Sequence, residues 1–387
     1  MTTAATSSLS IEQQLHQLLN NGQPKEAEAL ARSYLASGTG PITFWKQLAT
    51  ALRNQGRYEE ARDIQAMLAD HLPGDLSNRF DLAETLLMLS DFDRGWREYH
   101  YRYSLPHTTR IERKVQKPRW DGRAIPGKTL LIHDEQGFGD TFQFLRMLPW
   151  VKARSAARII LEIATETLPF ASRMEGIDQI IPRGTLPPAF DVHCEMMSLP
   201  MAMGLKLSDV PGPVPYLNAD PARLAHWKKR LAGLRRPLIG LVWGGRPTPN
   251  PHRSMPLATL APLAMEGVTF LSLQKGPYAA EAKTPPAGMR LMDLSDEIAD
   301  FNDTAAILSV ADLLVSIDSA PVHLAGALNR PTWVMLLNTA DWRWGPGGEN
   351  TLWYPSLRLF RQPRWRDWDS VVKTVATELA RWRDRIT

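Results

Sequence analysis

Asp318 and His323 are the residues whose setting offers chemistry most clearly. They stand in ADLLVSIDSAPVHLAGALNRP, residues 311–331, where an apolar run passes at once into small residues. Leu313, Leu314, Val315 and Ile317 read as a central strand of a parallel sheet. Ser319 then opens a helix in which Pro321 is tolerated, because a first-turn N–H would be unpaired anyway. The free N–H groups and positive end of such a helix suit a phosphate. In an open α/β sheet, ligands bind at this place, beyond the carboxyl ends of the strands.

A second such place is HDEQGFGDTFQ, residues 133–143, between a strand at Thr129 to His133 and an amphipathic helix from about Thr141. Gly137 and Gly139 fit neither GxGxxG nor a phosphate loop ending in Gly-Lys-Ser/Thr, so dinucleotide binding and nucleotide triphosphate hydrolysis lose ground. The glycines permit a tight turn and close approach of backbone to ligand. Glu135 and Asp140 offer carboxylates at the strand's end, beside Gln136. Asp140 is either a general base or the cap of the helix at Thr141.

These loops need sheets to hold them. Further strands are expected at Arg158 to Ile163, Gln179 to Ile181 and Phe190 to His193, and a second series in LIGLVWGG, TFLSLQKG, the Asp318 strand and TWVMLL. The segment 211–236, with PGPVPYLNADP and a polar helix, suits a connection between two α/β halves. Lys275, after SLQ at a strand end, is either a phosphate ligand or a surface lysine. His193 and Cys194 are neighbours on a strand and point to opposite faces, which favours structural roles over a nucleophile pair. No obvious metal-ligand cluster is visible.

The front of the chain repeats with a period of 34. Gly22, Gly56 and Ser90 fall in one column, Ala27, Ala61 and Gly95 in another, and Pro24, Tyr58 and Phe92 in a third. In the middle copy Trp45, Leu48, Ala49, Leu52, Gly56, Tyr58, Ala61 and Pro73 occupy the packing positions of tetratricopeptide helix-turn-helix repeats. Two and a half copies form a short array, either a partner-binding surface or a packing module.

At 387 residues, 44% hydrophobic and 22% charged, the chain reads as a soluble multidomain protein. One cysteine excludes an internal disulfide and fits a reducing compartment, hence the cytoplasm. No signal peptide and no integral membrane segment is read. The net charge of +4 is matched by residues 358–387, where eight Lys/Arg stand against four Asp/Glu. Val371, Val375, Leu379, Trp382 and Ile386 recur there at helical spacing, so the tail reads as a closing helix with a basic solvated face rather than a nucleic-acid site.

EQGFGD, LVWGG, HRSMPL, SLQKG and DSAPVHLAGALNRP, in this order, resemble the inverting GT-B glycosyltransferases of the heptosyltransferase type, in the variant joined to tetratricopeptide repeats. A more distant likeness is to the O-linked N-acetylglucosamine transferases. The resemblance implies α/β with an all-α N-terminal part, namely repeats followed by a GT-B fold of two Rossmann-like domains. Its divisions are 1–105 for the repeats, 106–125 for a linker, 126–222 for an acceptor domain and 223–387 for a nucleotide-sugar donor domain with its closing helix. It implies Asp140 as catalytic base, with Glu135, Gln136, Gly137 and Gly139 forming the acceptor-side loop. Asp318, Ser319, Ala320 and His323 would grip the donor, with Arg253 and Lys275 near its diphosphate. Arg253 stands where heptosyltransferases commonly use lysine. The segment NTADWRWGPGGEN corresponds to a loop beside the donor and adds Thr339, Asp341, Trp342 and Arg343.

The expected function is therefore a metal-independent inverting transfer from a nucleotide-sugar to a hydroxyl of a protein or glycan acceptor, with the repeats recruiting that acceptor or a protein partner. No cofactor and no nucleic acid is expected. The alternative is a repeat scaffold with a degenerate, non-catalytic GT-B domain, since fold does not establish activity.

Overall fold

The computed structural model describes residues 9–36, 40–104, 115–248 and 250–386. Residues 106–114 of the expected linker lie outside these. The chain divides into a unit of residues 1–110 and a unit of residues 111–387.

The first unit is helical, and its regularity follows from its turns. Its helices are α1 (Ile11–Asn20), α2 (Pro24–Leu35), α3 (Ile42–Asn54), α4 (Tyr58–His71), α5 (Leu76–Met88) and α6 (Phe92–Tyr99). Pro24, Tyr58 and Phe92, one column of the 34-residue repeat, each open the second helix of a pair. Gly22, Gly56 and Ser90, another column, all take the left-handed conformation, with φ of 70°, 76° and 64°. In each turn that residue's N–H bonds to the carbonyl three back, and the next N–H to the carbonyl five before it: Gln23 to Leu18, Arg57 to Leu52 and Asp91 to Leu86. This is the double hydrogen bond that closes a helix at a left-handed residue. Small side chains then let the paired helices approach. Ala27 and Ala61 are buried, and a Cβ on Gly95 would meet Leu87 Cδ2 at 2.8 Å.

The second unit holds two parallel sheets. In chain order its first half comprises β1 (Thr129–His133), α7 (Phe138–Phe144), α8 (Leu148–Ser155), β2 (Arg158–Ile163), α9 (Leu168–Ala171), β3 (Gln179–Pro182), β4 (Val192–Glu195) and α10 (Leu199–Met203). The strands lie in the order β3-β2-β1-β4. Within the expected linker, Arg119 bridges to His193 and the Trp120 N–H bonds the His193 carbonyl, so this stretch packs along β4.

After the connection comes α11 (Pro221–Arg230), followed by β5 (Leu238–Val242), β6 (Thr269–Ser272), β7 (Leu291–Asp293), α12 (Phe301–Val310), β8 (Leu313–Ile317), α13 (Ala320–Ala327), β9 (Thr332–Leu336), β10 (Leu357–Arg361) and α14 (Trp368–Ile386). The sheet order is β10-β9-β8-β5-β6-β7, and every pairing is parallel. β5 and β8 are its central strands and are buried throughout, as their continuous apolar runs require. Val371, Val372, Val375 and Leu379 of α14 close the core beneath this sheet. Two parallel α/β halves joined through residues 211–236 make a GT-B-like fold, with the carboxyl ends of β1 and β8 available for a site.

Candidate functional site

Asp140 enters the site through a helix that starts earlier than its sequence suggests. α7 begins at Phe138, with Gly137 as its N-cap, so Asp140 lies inside the first turn instead of ahead of Thr141. Glycine has no side chain to cap with, and Asp140 Oδ2 supplies the acceptor, taking the Gly137 N–H at 2.9 Å. Its other oxygen, Oδ1, accepts from Arg343 Nη2 at 2.5 Å. The helix cap and the Arg343 ion pair therefore use different oxygens of one carboxylate. Burial pushes the Asp140 carboxyl up from its ordinary range; the Arg343 charge opposes this and the Asp341 charge adds to it.

Asp318 follows β8 directly, and Ser319 is the N-cap of α13. Ser319 makes no cap bond with its side chain; its hydroxyl instead pairs with Ser316 Oγ at 3.0 Å. Ala320 begins the helix, and Pro321 lies in its first turn. The Asp318 carboxyl is pushed up to about 6, by burial first and by Asp341 second, while the Trp344 indole, Arg253 and Arg343 oppose the rise. His323 is buried one turn on. Its Nδ1 is 3.0 Å from the Tyr354 hydroxyl, its ring stacks on Trp344, and its Nε2 is 3.9 Å from Asp318 Oδ1. Burial, followed by the charges of Arg343 and Arg146, drives its pKa well below the ordinary value, so the ring is neutral.

The two loops meet. A Cβ on Gly139 would lie 2.7 Å from His323 Cδ2, which is why glycine stands there. Phe301 at the start of α12 packs edge-on against Phe138 and Phe142 of α7. Arg146 fastens the same seam with bonds to the carbonyls of Pro211 and Trp353 and to the Tyr216 hydroxyl.

Arg253 is held beside the glycines that follow β5. The Gln274 side chain takes the N–H groups of Trp243 and Gly244, and Ser254 Oγ takes that of Gly245. A Cβ on Gly245 would come within 3.2 Å of Arg253 Nε. That Nε is buried and has no hydrogen-bond partner among the described residues, while Nη2 bonds the Arg246 carbonyl. A guanidinium held next to Asp318 with a donor left over is suited to an anion.

The other expected site residues have these surroundings. The Glu135 carboxylate is buried and accepts the Met197 N–H, so it braces the loop from beneath. Lys275 Nζ bonds the carbonyls of Ser295 and Ile298 and ties β6 to the segment after β7. Thr339 is half-buried on the loop after β9. Asp341 caps the short 3-10 helix at Trp342–Trp344 and accepts from Arg343 Nη1 at 2.9 Å. Gln136 and Gly137 line an open cleft of 280 Å³ with Phe138, Ala164, Thr165, Glu166, Arg183 and Arg246.

Gln143, Tyr354 and the His133 pair escape the sequence reading. Gln143 Oε1 holds Arg343 Nε at 2.7 Å, and HDEQGFGDTFQ contains it without marking it. His133, His193 and Glu195 share one face of the first sheet through the β1–β4 register, a grouping that spacing along the chain cannot show. His133 Nε2 and His193 Nδ1 are 3.2 Å apart, while the ring centroids are 5.5 Å apart. The difference amounts to two imidazole radii, so the nitrogens face each other in line. The contact is a hydrogen bond within the sheet.

Residues 270–362, which carry Lys275, Asp318, His323 and Arg343, match the model of Glycosyltransferase family 9 (heptosyltransferase). The chain thus contains a glycosyltransferase-type domain. Protein FlbA of Caulobacter vibrioides is 29% identical over an alignment of 352 residues that covers 82% of this chain and 59% of FlbA. The chain thus spans 59% of the length of that curated relative. Among solved structures, E. coli ADP-heptose lps heptosyltransferase II is similar at 15% identity and a TM-score of 0.49, over 65% of this chain and 97% of that one. An O-GlcNAc transferase from Thermobaculum terrenum is similar at 13% identity and a TM-score of 0.27, over 97% of this chain and 91% of that one.

Proposed function

We propose that the protein is an inverting glycosyltransferase that moves a sugar from a nucleotide-sugar to a hydroxyl of a protein or glycan acceptor. The observation that carries this reading is the apposition of Asp140 with the Asp318–His323 helix, inside a domain that matches a glycosyltransferase family. The acceptor hydroxyl would give its proton to Asp140 as its oxygen bonds to the anomeric carbon. The bond from that carbon to the diphosphate breaks, and the leaving diphosphate meets the N-terminus of α13 and Arg253. Attack opposite the leaving group inverts the centre. Cationic and helix-end donors can take the charge of the leaving group, so the reaction needs no metal ion.

The helical pairs of the first unit, with their 34-residue offset and left-handed turns, support the tetratricopeptide reading, and we assign them to recruitment of the acceptor or of a protein partner. The single buried cysteine agrees with work in the cytoplasm.

The scaffold alternative draws on the commitment of Asp140 to Arg343 and of Lys275 to two carbonyls. Thermal stabilisation by a panel of nucleotide-sugars without added metal separates the readings. A ligand at a hundredfold excess over its Kd adds about 2.7 kcal/mol. Transfer predicts a selective stabiliser that is lost in Asp318→Ala and in Arg253→Ala; a scaffold predicts no stabiliser.

A further inference from the structure

Arg343 reaches Asp140 from the other α/β half, 203 positions along the chain. It is 7% exposed and held on three sides. Nη2 bonds Asp140, Nη1 bonds Asp341 Oδ1, Nε bonds Gln143 Oε1, and the guanidinium carbon stands 4.2 Å from the centre of the Trp342 ring. Gln143 belongs to the same helix as Asp140, and Asp341 to the same loop as Arg343, so each half fixes one edge of the planar fork. A lysine could not make this set of contacts.

We propose that Arg343 is the positioning residue of the candidate base: brought in by the second half, it orients the Asp140 carboxylate and holds it charged, so that a competent base is assembled only where the two halves are apposed. This rests on the transfer reading above. Other charged or titratable groups stand around the base, among them Asp134, which bonds Thr141 of its helix, and Arg146 just after that helix. Asp318 comes from the end of β8, His323 from α13 against Gly139, and Asp341 from the loop after β9. Arg246, on the loop after β5, lies near the Phe138 ring, and Arg253 acts on Asp318 from the same loop. Arg343 opposes the rise that burial gives Asp140, whereas Asp341 reinforces it.

The two neighbours therefore predict opposite signs. In the full chain carrying 13C-carboxyl aspartate, the Asp140 signal is identified by its loss in Asp140→Asn and titrated without substrate. Arg343→Gln should move its midpoint up by about 1–3 pH units, the effect of removing a close opposite charge. Asp341→Asn should move it down. A brace acting only through packing would not produce opposed shifts. An unmoved midpoint in folded Arg343→Gln, or shifts of one sign in both variants, overturns the proposal. If Arg343→Gln does not fold, Asp341→Asn carries the test, and an unmoved or raised midpoint there overturns it. A negative titration removes the positioning role and leaves the transfer reading standing. Opposed shifts with no turnover of any nucleotide-sugar remove the base role itself.

Discussion

His323 lies against Gly139, so the donor-side helix and the acceptor-side loop touch at an imidazole and a missing side chain. Gly139 has no positive φ, and its constraint is therefore steric alone. His323 has little room to retreat, being paired with Tyr354 and stacked on Trp344. Gly139→Ala should destabilise the protein by about 1–3 kcal/mol, as overpacking does. It should also weaken the nucleotide-sugar stabilisation seen in thermal melts. Unchanged stability would show that the two loops are not in contact.

Gly56 offers the converse case. It has φ of 76°, and nothing lies within 4 Å of an added Cβ. Gly56→Ala should therefore cost only the conformational penalty, about 1–2 kcal/mol. Circular dichroism melts read this cost. Ser90 already tolerates the same conformation at the matching turn, so helix content should be preserved.

The Asp318 carboxyl sets a pH dependence. Its pKa rises from 3.8 to about 6 on folding, so the native state binds more protons than the unfolded chain between these values. Its contribution to stability is therefore full below the lower value and is lost as pH rises through about 6. Asp318→Asn cannot titrate. The stability of the wild type relative to Asp318→Asn should fall between pH 4 and pH 7 and stay level above, as followed by urea unfolding. A difference independent of pH would contradict the burial ascribed to this carboxyl.

Much of this was legible in the sequence where the signal is local. The strands at Thr129–His133 and Arg158–Ile163 have the bounds their apolar runs suggest, because a buried parallel strand is marked by a continuous apolar stretch, here Leu130–Ile132 and Ile159–Leu161. β10, LRLFR, hides in a stretch that reads as a basic tail, yet Arg358 pairs with Glu349 and Glu378 while Leu357, Leu359 and Phe360 are buried. β7 has only three residues and no uniform apolar run. The start of α7 differs from its sequence signal because an aspartate before a helix reads as a cap, whereas here it reaches back from within the first turn to serve a glycine. Asp318, His323 and Asp140 stood out through their setting beside a strand end. The partnership of Asp140 with Arg343, and the bonds of Glu135 and Lys275 to backbone groups, depend on tertiary contacts that spacing does not encode.

The central claim is that Asp140 takes a proton during glycosyl transfer, and turnover of the stabilising nucleotide-sugar by wild type and Asp140→Asn tests it most directly. Release of the nucleotide product with a cell extract supplying acceptors would be followed by mass spectrometry, alongside donor binding. The account predicts a fall of about 10²–10⁴ in rate for Asp140→Asn with donor binding retained. Equal turnover by the two proteins would contradict it.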